Sequence, residues 1–549
     1  MIKKIINGNF FNSHTSSSVT SAAFLITLFG LASRVMGLFR DRLLASSFGA
    51  GDTLDVYYAA FRIPDLIYNF LILGALSAAF IPVFTSLISN EKKEEAWNLA
   101  GGILNLAIFF IIILSFVFCI FTPYLAKLIA PGFSPEKMAQ LIIFTRIMFL
   151  SPLFLGISGI FGGVLTSYKR FLIYSLAPIF YNAGIIFGIL VLVKMWGPIG
   201  LAWGVVFGAL LHMLSQYPAV RLLGFKNNCF SLKCLFNKDV RKVFRLMIPR
   251  IMGIAASQIN LFVITIFASL LASGSLAIFS FAQNLQSVPL GIIGVSFAIA
   301  AFPTLSALFA KNEKENFSRI FSATFRQILF FIIPAGIFIF LLRAQIVRVI
   351  LGAGKFDWED TILTFQCLGI FAISLFAQSV VPLLTRAFYA MHNTKTPFYV
   401  AIASEAVSIL TVILLIGKYK ILSLAIAFSL ASFVQMFALL FILRFQFGDL
   451  DDKRIISSVL KISLATIFGG IFVQLAKFLM AKIVDLDTFL GVFFQLSISA
   501  IAGLAVFLLI CHLVKLEEFI NFKKSLTRRI FRIKKLDLAE DTGDVSGIS

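Results

Sequence analysis

Charge is scarce in this chain. Only 13% of its 549 residues are Asp, Glu, Lys or Arg, while 59% are hydrophobic, 64 residues are Phe, and the mean hydropathy is +0.97. A water-soluble domain needs a polar surface that this composition cannot supply. A soluble globular protein is therefore excluded. Alternating strands of about ten residues, the mark of an outer-membrane barrel, are missing as well. What the chain has instead is a series of fourteen apolar runs, each of roughly 20 residues or more and long enough to cross a ~30 Å hydrocarbon layer at 1.5 Å per residue. Inside a bilayer each backbone N–H and C=O must be satisfied within its own segment, so these runs are read as helices. The fold class is all-α and polytopic, with about fourteen transmembrane helices.

Cysteine is equally sparse and scattered. Cys119, Cys229, Cys234, Cys367 and Cys511 show no CxxC or finger-like spacing, so no metal site is expected. A Walker or GxGxxG nucleotide loop is absent, no cofactor is indicated, and the outward loops are too short to house the catalytic acid or base of a membrane enzyme. The expected activity is transport, not catalysis. A polar Ser/Thr-rich stretch separates Lys3 and Lys4 from the first apolar run, with no small-residue cleavage site after it. That run is read as a retained span rather than a signal peptide.

The charges that are present lean to one sign, with a net charge of +21. Nucleic acid is not the implied partner, because Lys and Arg fall in short alternating loops and in the tail KKSLTRRIFRIKK, which is a positive-inside pattern. The basic loops include EKKEE, YKR, KNEK and DDKR, while FGAGD, LASGS and DLD connect helices on the other side. Arg343, Arg348 and Lys355 lie on that poorer side and run against the bias. The pattern places both termini in the cytoplasm. Expected segments are a cytoplasmic N-terminus over 1–19, a first lobe over 20–222, a linker over 223–242 and a second lobe over 243–445. Two further helices follow over 454–513, and a basic cytoplasmic tail over 514–549.

An internal repeat supports the two lobes. ASSFGAGDTLDVYYAAFRI, from Ala45, pairs with ASLLASGSLAIFSFAQNL, from Ala268, matching Gly51 to Gly274; downstream, Pro82 matches Pro303. The offset stays at about 222 residues, and the even number of spans between the copies gives both halves the same orientation, related by an axis along the membrane normal. Two parallel six-helix lobes with a midplane cleft form an alternating-access plan. Gly37, Pro64, Gly74, Pro82, Pro249, Gly253, Pro289 and Gly294 mark where the first helices of each lobe can bend, and irregular backbone at membrane depth is tolerated where it lines a cavity.

The first two spans concentrate the intramembrane charge. Arg34, Arg40 and Asp41 lie on the first, and Asp55, Arg62, Asp65 and Asn69 form one stripe on the second. Each charge at the centre of a spanning helix costs ~2.5–3.5 kcal/mol on insertion scales. Helix-end arginines paired with these aspartates are one explanation. The planar fork of Arg, suited to bidentate binding of phosphate, supports another: an anionic head group held in the cleft. Elsewhere, Glu405 and Arg146 are single intramembrane charges suited to pairing with each other or to a coupling ion. His212 reads as a hydrogen-bonded helix residue, and Asn105, Asn182 and Gln378 as interhelical hydrogen-bonding groups.

SRVMGLFRD, followed by FGAGDTLDVYYAAFRIPDL and GALSAAFIPVF, resembles the signature of the lipid II flippases, the MurJ (MviN) family of the MOP exporter superfamily. The likeness is densest over residues 25–90 and extends loosely over the whole chain. It implies a MATE-like pair of lobes around a cationic cavity, with the last two helices forming a groove for a lipid tail. It also implies export of lipid II, the undecaprenyl-diphosphate-linked disaccharide pentapeptide, across the bacterial cytoplasmic membrane for peptidoglycan synthesis, with membrane lipids as the surroundings. Arg34 matches the Arg of the family's Ser-Arg pair, Arg40 and Asp41 its Arg-Asp pair, and Asp55 its acidic residue on the next span. Departures are clear. Tyr68, Asn69 and Leu73 stand where many members carry an Arg pair and a Glu, and Gln283, Asn284 and Ser287 replace an Asp-Arg and a Glu on the eighth span. Arg250, after Pro249, is the candidate replacement for the missing second-lobe cation. The expected substrate-binding set is thus Arg34, Arg40, Arg62, Asp41, Asp55, Asn69, Arg250 and Asn284.

A flippase for another polyprenyl-diphosphate-linked oligosaccharide, or an ion-coupled multidrug exporter of the same superfamily, shares the two-lobe plan. Cationic drugs call for acidic groups in the cleft, however, and the first-span cluster is richer in Arg. The sequence does not name a coupling ion.

Overall fold

A computed structural model describes residues 19–70, 80–225 and 258–524, with side chains from Leu28 onward. Every regular element among them is a helix. In chain order these are α1 (Val19–Phe48), α2 (Asp52–Ala60), α3 (Arg62–Tyr68), α4 (Ile81–Ser89), α5 (Lys93–Ile129), α6 (Pro135–Ser167), α7 (Phe171–Trp196) and α8 (Ile199–Leu222). There follow α9 (Gln258–Ser269), α10 (Ser275–Ala310), α11 (Lys314–Ile350), α12 (Trp358–Ala390), α13 (Lys395–Tyr419), α14 (Ile421–Phe447), α15 (Asp452–Met480), α16 (Phe489–Leu513) and a short α17 over 517–524. Among the described residues, eleven helices are long and apolar enough to cross a membrane. The other three expected passes fall at α1, at the α2–α4 stretch, described for 52–70 and from 80, and at α9, described from Gln258.

Proline and glycine act locally as their chemistry dictates. The second pass breaks at Phe61, just before Pro64, whose ring lacks the N–H a continuous helix requires. Pro289 leads into a π-helical turn, Leu290–Val295, which also contains Gly294. Gly37, in contrast, sits inside an unbroken α1. Gly74, Pro249, Gly253, Leu73, Cys229, Cys234 and most of the 223–242 linker lie outside the described residues.

The chain divides into two compact units. Unit one comprises Met1–Leu285, Ile350–Cys367 and Ala401–Ala427; unit two comprises Gln286–Val349, Leu368–Val400 and Phe428–Ser549. In unit one, α7 and α8 pack backbone to backbone. A Cβ on Gly184 would lie 2.3 Å from Gly208 Cα, and one on Gly188 would lie 2.4 Å from Gly204 Cα. Small residues let helices approach this closely where no hydrophobic effect drives them together. Aromatic rings fill much of the rest, with Phe80, Phe84 and Phe161 buried and Trp97 stacked on Tyr168 at 5.8 Å between centroids. Unit two repeats the strategy: Phe317 stacks on Phe447 at 4.5 Å, and the two C-terminal helices meet where Gly469 faces Gly503.

Unit two also holds a buried ion cluster. Arg326 on α11 donates through Nη1 to Glu517, at 2.9 Å, and to Glu518, both on α17. Ser458 on α15 adds a 2.9 Å hydrogen bond to Glu518. Arg326 and Glu518 are both buried, so the short helix after the last span is fastened to α11 and α15 by a desolvated pair.

Candidate substrate site

The polar residues of the first two passes lie in unit one. Arg40 donates through Nε and Nη2 to Asp41 Oδ1, at 3.0 and 2.7 Å, and through Nη1 to Asn182 Oδ1 on α7 at 3.1 Å. Three of its five N–H groups are thereby engaged, leaving two for another acceptor. Asn182 also donates to the carbonyl and hydroxyl of Ser33, at 3.3 and 3.4 Å, and so braces α1 at two heights. Asp41 is 2% exposed, and its second oxygen accepts from Asn284 Nδ2 on α10 at 2.9 Å. Arg40, Asp41 and Asn284 thus form one continuous chain. Arg40 is thus paired with aspartate, and Asn182 takes the third of its engaged N–H groups.

Asp55 is engaged elsewhere. Also 2% exposed, it accepts the backbone N–H of Gly274 at 2.7 Å and of Ala277 at 3.0 Å, which caps the N-terminus of α10 from another helix. Lys137 Nζ completes the set, 3.0 Å from Asp55 and 2.8 Å from Asp52. Lys137 is aimed there because Ser134 caps α6, accepting from the Lys137 N–H at 3.3 Å, with Pro135 in the first turn. Gly274 has φ +85°, and a Cβ there would lie 1.9 Å from the Ala50 carbonyl oxygen, so glycine alone fits this junction.

Other contacts join the same regions. Arg62 Nε donates to Thr265 Oγ1 on α9 at 2.7 Å. Ser273 donates to Asp52, the Ala50 N–H to Asp360 Oδ2 at 2.8 Å, and the Lys355 N–H to the Ser46 carbonyl at 2.9 Å. The two copies of the repeat therefore meet through polar groups at the turns that begin α2 and α10. Arg34 is half-buried on α1, and Asn69 is part-buried at the end of α3, its N–H bonded to the Asp65 and Leu66 carbonyls. Arg250 lies outside the described residues.

Sequence reasoning overlooked Lys137, Thr265 and Asp360. Lys137 reads as an ordinary basic residue near a helix start, and its partner Asp55 is 82 positions away. The single charges take separate partners: Arg146 Nε donates to the Cys119 carbonyl at 3.3 Å, and Glu405 accepts from Asn260 at 2.7 Å. Arg146 and Glu405 do not pair with each other as the sequence suggested, because each meets a neutral group on a neighbouring helix first. His212 is hydrogen-bonded to Ser158 at 2.6 Å, as expected for a helix residue of that kind. Among the described residues, no group of three His, Cys, Asp or Glu side chains is placed to hold a metal ion.

The model of the family described as lipid II flippase MurJ matches residues 44–494. The chain belongs to that family. Among relatives, the "Probable lipid II flippase MurJ" of Buchnera aphidicola is 31% identical over 420 residues, covering 75% of this chain and 81% of the relative. The "Lipid II flippase MurJ" of Burkholderia cenocepacia is 27% identical, covering 69% of this chain and 75% of its own. Of solved structures, a lipid II flippase MurJ in an inward closed conformation matches with TM-score 0.72 at 24% identity, covering 89% of this chain and 98% of that one. A MATE-family multidrug transporter of the MOP superfamily matches with TM-score 0.64 at 14% identity, covering 78% and 99%. These likenesses give the MATE-like fold. Asn284, which the sequence marked as a departure from the family's pattern, donates here to Asp41.

Proposed function

We propose that this protein is a flippase that carries lipid II from the inner to the outer leaflet of the bacterial cytoplasmic membrane by alternating access. The observation that supports this reading best is membership of the MurJ family over residues 44–494, joined to an arginine-bearing first helix. Lobes over 20–222 and 243–445 rock about the cleft, and the helices over 454–513 flank it for the polyprenyl tail. Both termini face the cytoplasm. Arg34, Arg40 and Arg62 meet the diphosphate, because a dianion entering a site of lowered dielectric needs facing cations to offset its lost hydration. Asp41 orients Arg40, while Asp55 works at the junction of α2 and α10. Asn69, Asn284 and Arg250 complete the expected lining.

The geometry argues against a site for cationic drugs. The carboxylates of Asp41, Asp52 and Asp55 are already committed to Arg40, Lys137, Asn284 and backbone amides. In this reading, opening toward the outer side parts the Asp41–Asn284, Asp55–Gly274 and Arg62–Thr265 bonds, which therefore contribute to the free energy of that step. The reading is tested by depleting a cell of its own flippase, supplying this chain, and measuring lipid II exposed on the outer leaflet. Exposure at the level of the native flippase is expected; exposure no higher than in depleted cells contradicts the reading.

A further inference from the structure

Arg62 and Asp65 carry opposite charges one turn apart on α3, at positions i and i+3 of one helix face. Asp52 opens that pass, so the two fall about 15–20 Å along it, near the middle of a ~30 Å hydrocarbon layer. Charges at that depth mark either a pairing partner or a substrate path. Arg62 donates through Nε to Thr265 Oγ1 at 2.7 Å, and four of its five N–H groups remain. The backbone of Asp65 is engaged inside the helix, its N–H with the Phe61 carbonyl at 2.8 Å and its carbonyl with the Asn69 N–H. Its part-buried carboxylate takes no hydrogen bond and no ion pair among the described residues, although the charge of Arg62 reaches it. Tyrosines stand around the two charges: Tyr57 and Tyr58 on α2, Tyr68 at the end of α3 and Tyr181 on α7. Asp65 acts electrostatically on Tyr57, Tyr68 and Tyr181, and Arg62 on Tyr58. The Tyr58 hydroxyl is buried with no partner among the described residues. Tyr57 is held by edge contacts with Tyr58 and Phe61, at 5.3 and 5.0 Å between centroids.

We propose that Asp65 and Arg62 form a subsite for an N-acetylated amino sugar bound next to the diphosphate, which makes Asp65 a specificity-determining residue for the transported lipid. The inference rests on the flippase reading above. A secondary amide presents an N–H donor and a C=O acceptor side by side, whereas a carboxylate only accepts and a guanidinium only donates. One acetamido group therefore satisfies both side chains. Together the two residues are neutral, which suits an uncharged sugar, while a phosphate beside Asp65 would meet a like charge in a setting of lowered dielectric. In a 2-acetamido sugar the amide stands on the carbon next to the one that carries the phosphate. Arg62, with its remaining N–H groups, can serve a phosphate oxygen and the acetamido carbonyl together. The tyrosines supply rings for the apolar face of the sugar and hydroxyls for its O–H groups. Asn69, four residues after Asp65, adds an amide on the same helix face.

The test compares the binding of undecaprenyl diphosphate, undecaprenyl-diphosphate glucose and undecaprenyl-diphosphate N-acetylglucosamine to full-length protein in nanodiscs. The N-acetylated lipid should bind about tenfold more tightly than the glucose lipid, the margin of one hydrogen bond to a charged group. Asp65→Ala should remove that margin and leave the affinity for undecaprenyl diphosphate as in the wild type. Asp65→Asn keeps the shape and one acceptor oxygen, so it should remove part of the margin, and it gives the same comparison if Asp65→Ala folds poorly. Arg40→Ala should weaken all of the lipids alike. Equal affinities for the glucose and N-acetylglucosamine lipids in the wild type overturn the subsite. So does an Asp65→Ala loss that is the same for every lipid, which would mean that the carboxylate only braces the helix. A loss confined to a lipid whose stem peptide carries a free amine assigns the carboxylate to the peptide and likewise overturns the subsite. Undecaprenyl diphosphate bound without any sugar preference leaves the flippase reading standing; no binding of any of these lipids overturns both.

Discussion

Asn284 donates to the buried carboxylate of Asp41 at 2.9 Å, so a neutral amide on α10 supports the acid that holds Arg40. Replacing it by a shape-matched carboxylate sets two acceptors face to face in a low-dielectric setting. Asn284→Asp should therefore abolish complementation of a flippase-depleted cell. Asn284→Ala removes one hydrogen bond to a charged group, worth ~1.5–3 kcal/mol, and should slow growth without abolishing it. Growth measured alongside membrane abundance separates the two, and equal effects would show that charge is not the issue.

Lys137 and Asp55 make a partly buried pair on which the cap of α10 depends. Lys137→Met leaves a buried carboxylate without its cation and should cost ~3–5 kcal/mol. Asp55→Asn keeps one oxygen for the amides and should cost less, ~1–2 kcal/mol. The double variant should be more stable than the sum of the singles implies, because the residues are in contact. A double-mutant cycle of melting temperatures in detergent measures the coupling; strict additivity would mean that the pair contributes nothing.

Glycines on α7 and α8 permit a test of packing that is independent of charge. Gly204→Val drives a side chain into the Gly188 backbone, where nothing can yield, and should remove folded protein from the membrane. A methyl group on Gly417 would meet no atom within 4 Å, and Gly417→Ala should leave abundance unchanged. Fluorescence-detected size-exclusion profiles of the two variants give the comparison.

Helix number and order were legible because apolar runs and Gly/Pro turns are local signals. The loop YKR ends just before α7 begins at Phe171, and LASGS ends at Ser275, where α10 begins. The candidate site was legible in part. Arg40 and Asp41 are adjacent in sequence, so their pairing needs no tertiary knowledge, whereas Lys137 with Asp55, Arg62 with Thr265 and Arg326 with Glu518 join distant helices whose rotational register no single segment encodes. The close of α2 and α10 on each other was hidden for the same reason, although the repeat that pairs Gly51 with Gly274 had placed both turns at matching positions.

The proposed topology has its own direct check. A cysteine introduced beside Gly51 should react with an impermeant thiol reagent added outside intact cells, and one beside Lys311 should react only after the membrane is opened. The reverse pattern would invert the orientation.

The central claim is that arginines of the first helix hold the diphosphate and are not merely partners for aspartate. A single substitution is ambiguous for Arg40, because Arg40→Ala strands the buried Asp41. Arg40→Ala combined with Asp41→Asn removes the cation and the stranded charge together, and Arg34→Ala tests the second arginine. The deciding measurement is outer-leaflet lipid II in flippase-depleted cells, normalised to membrane abundance. A charge-assisted contact is worth ~1.5–3 kcal/mol, so exposure should fall about tenfold or more in the Arg40 double variant and in Arg34→Ala. Normal exposure at normal abundance in both would contradict the account and leave these charges a structural role alone.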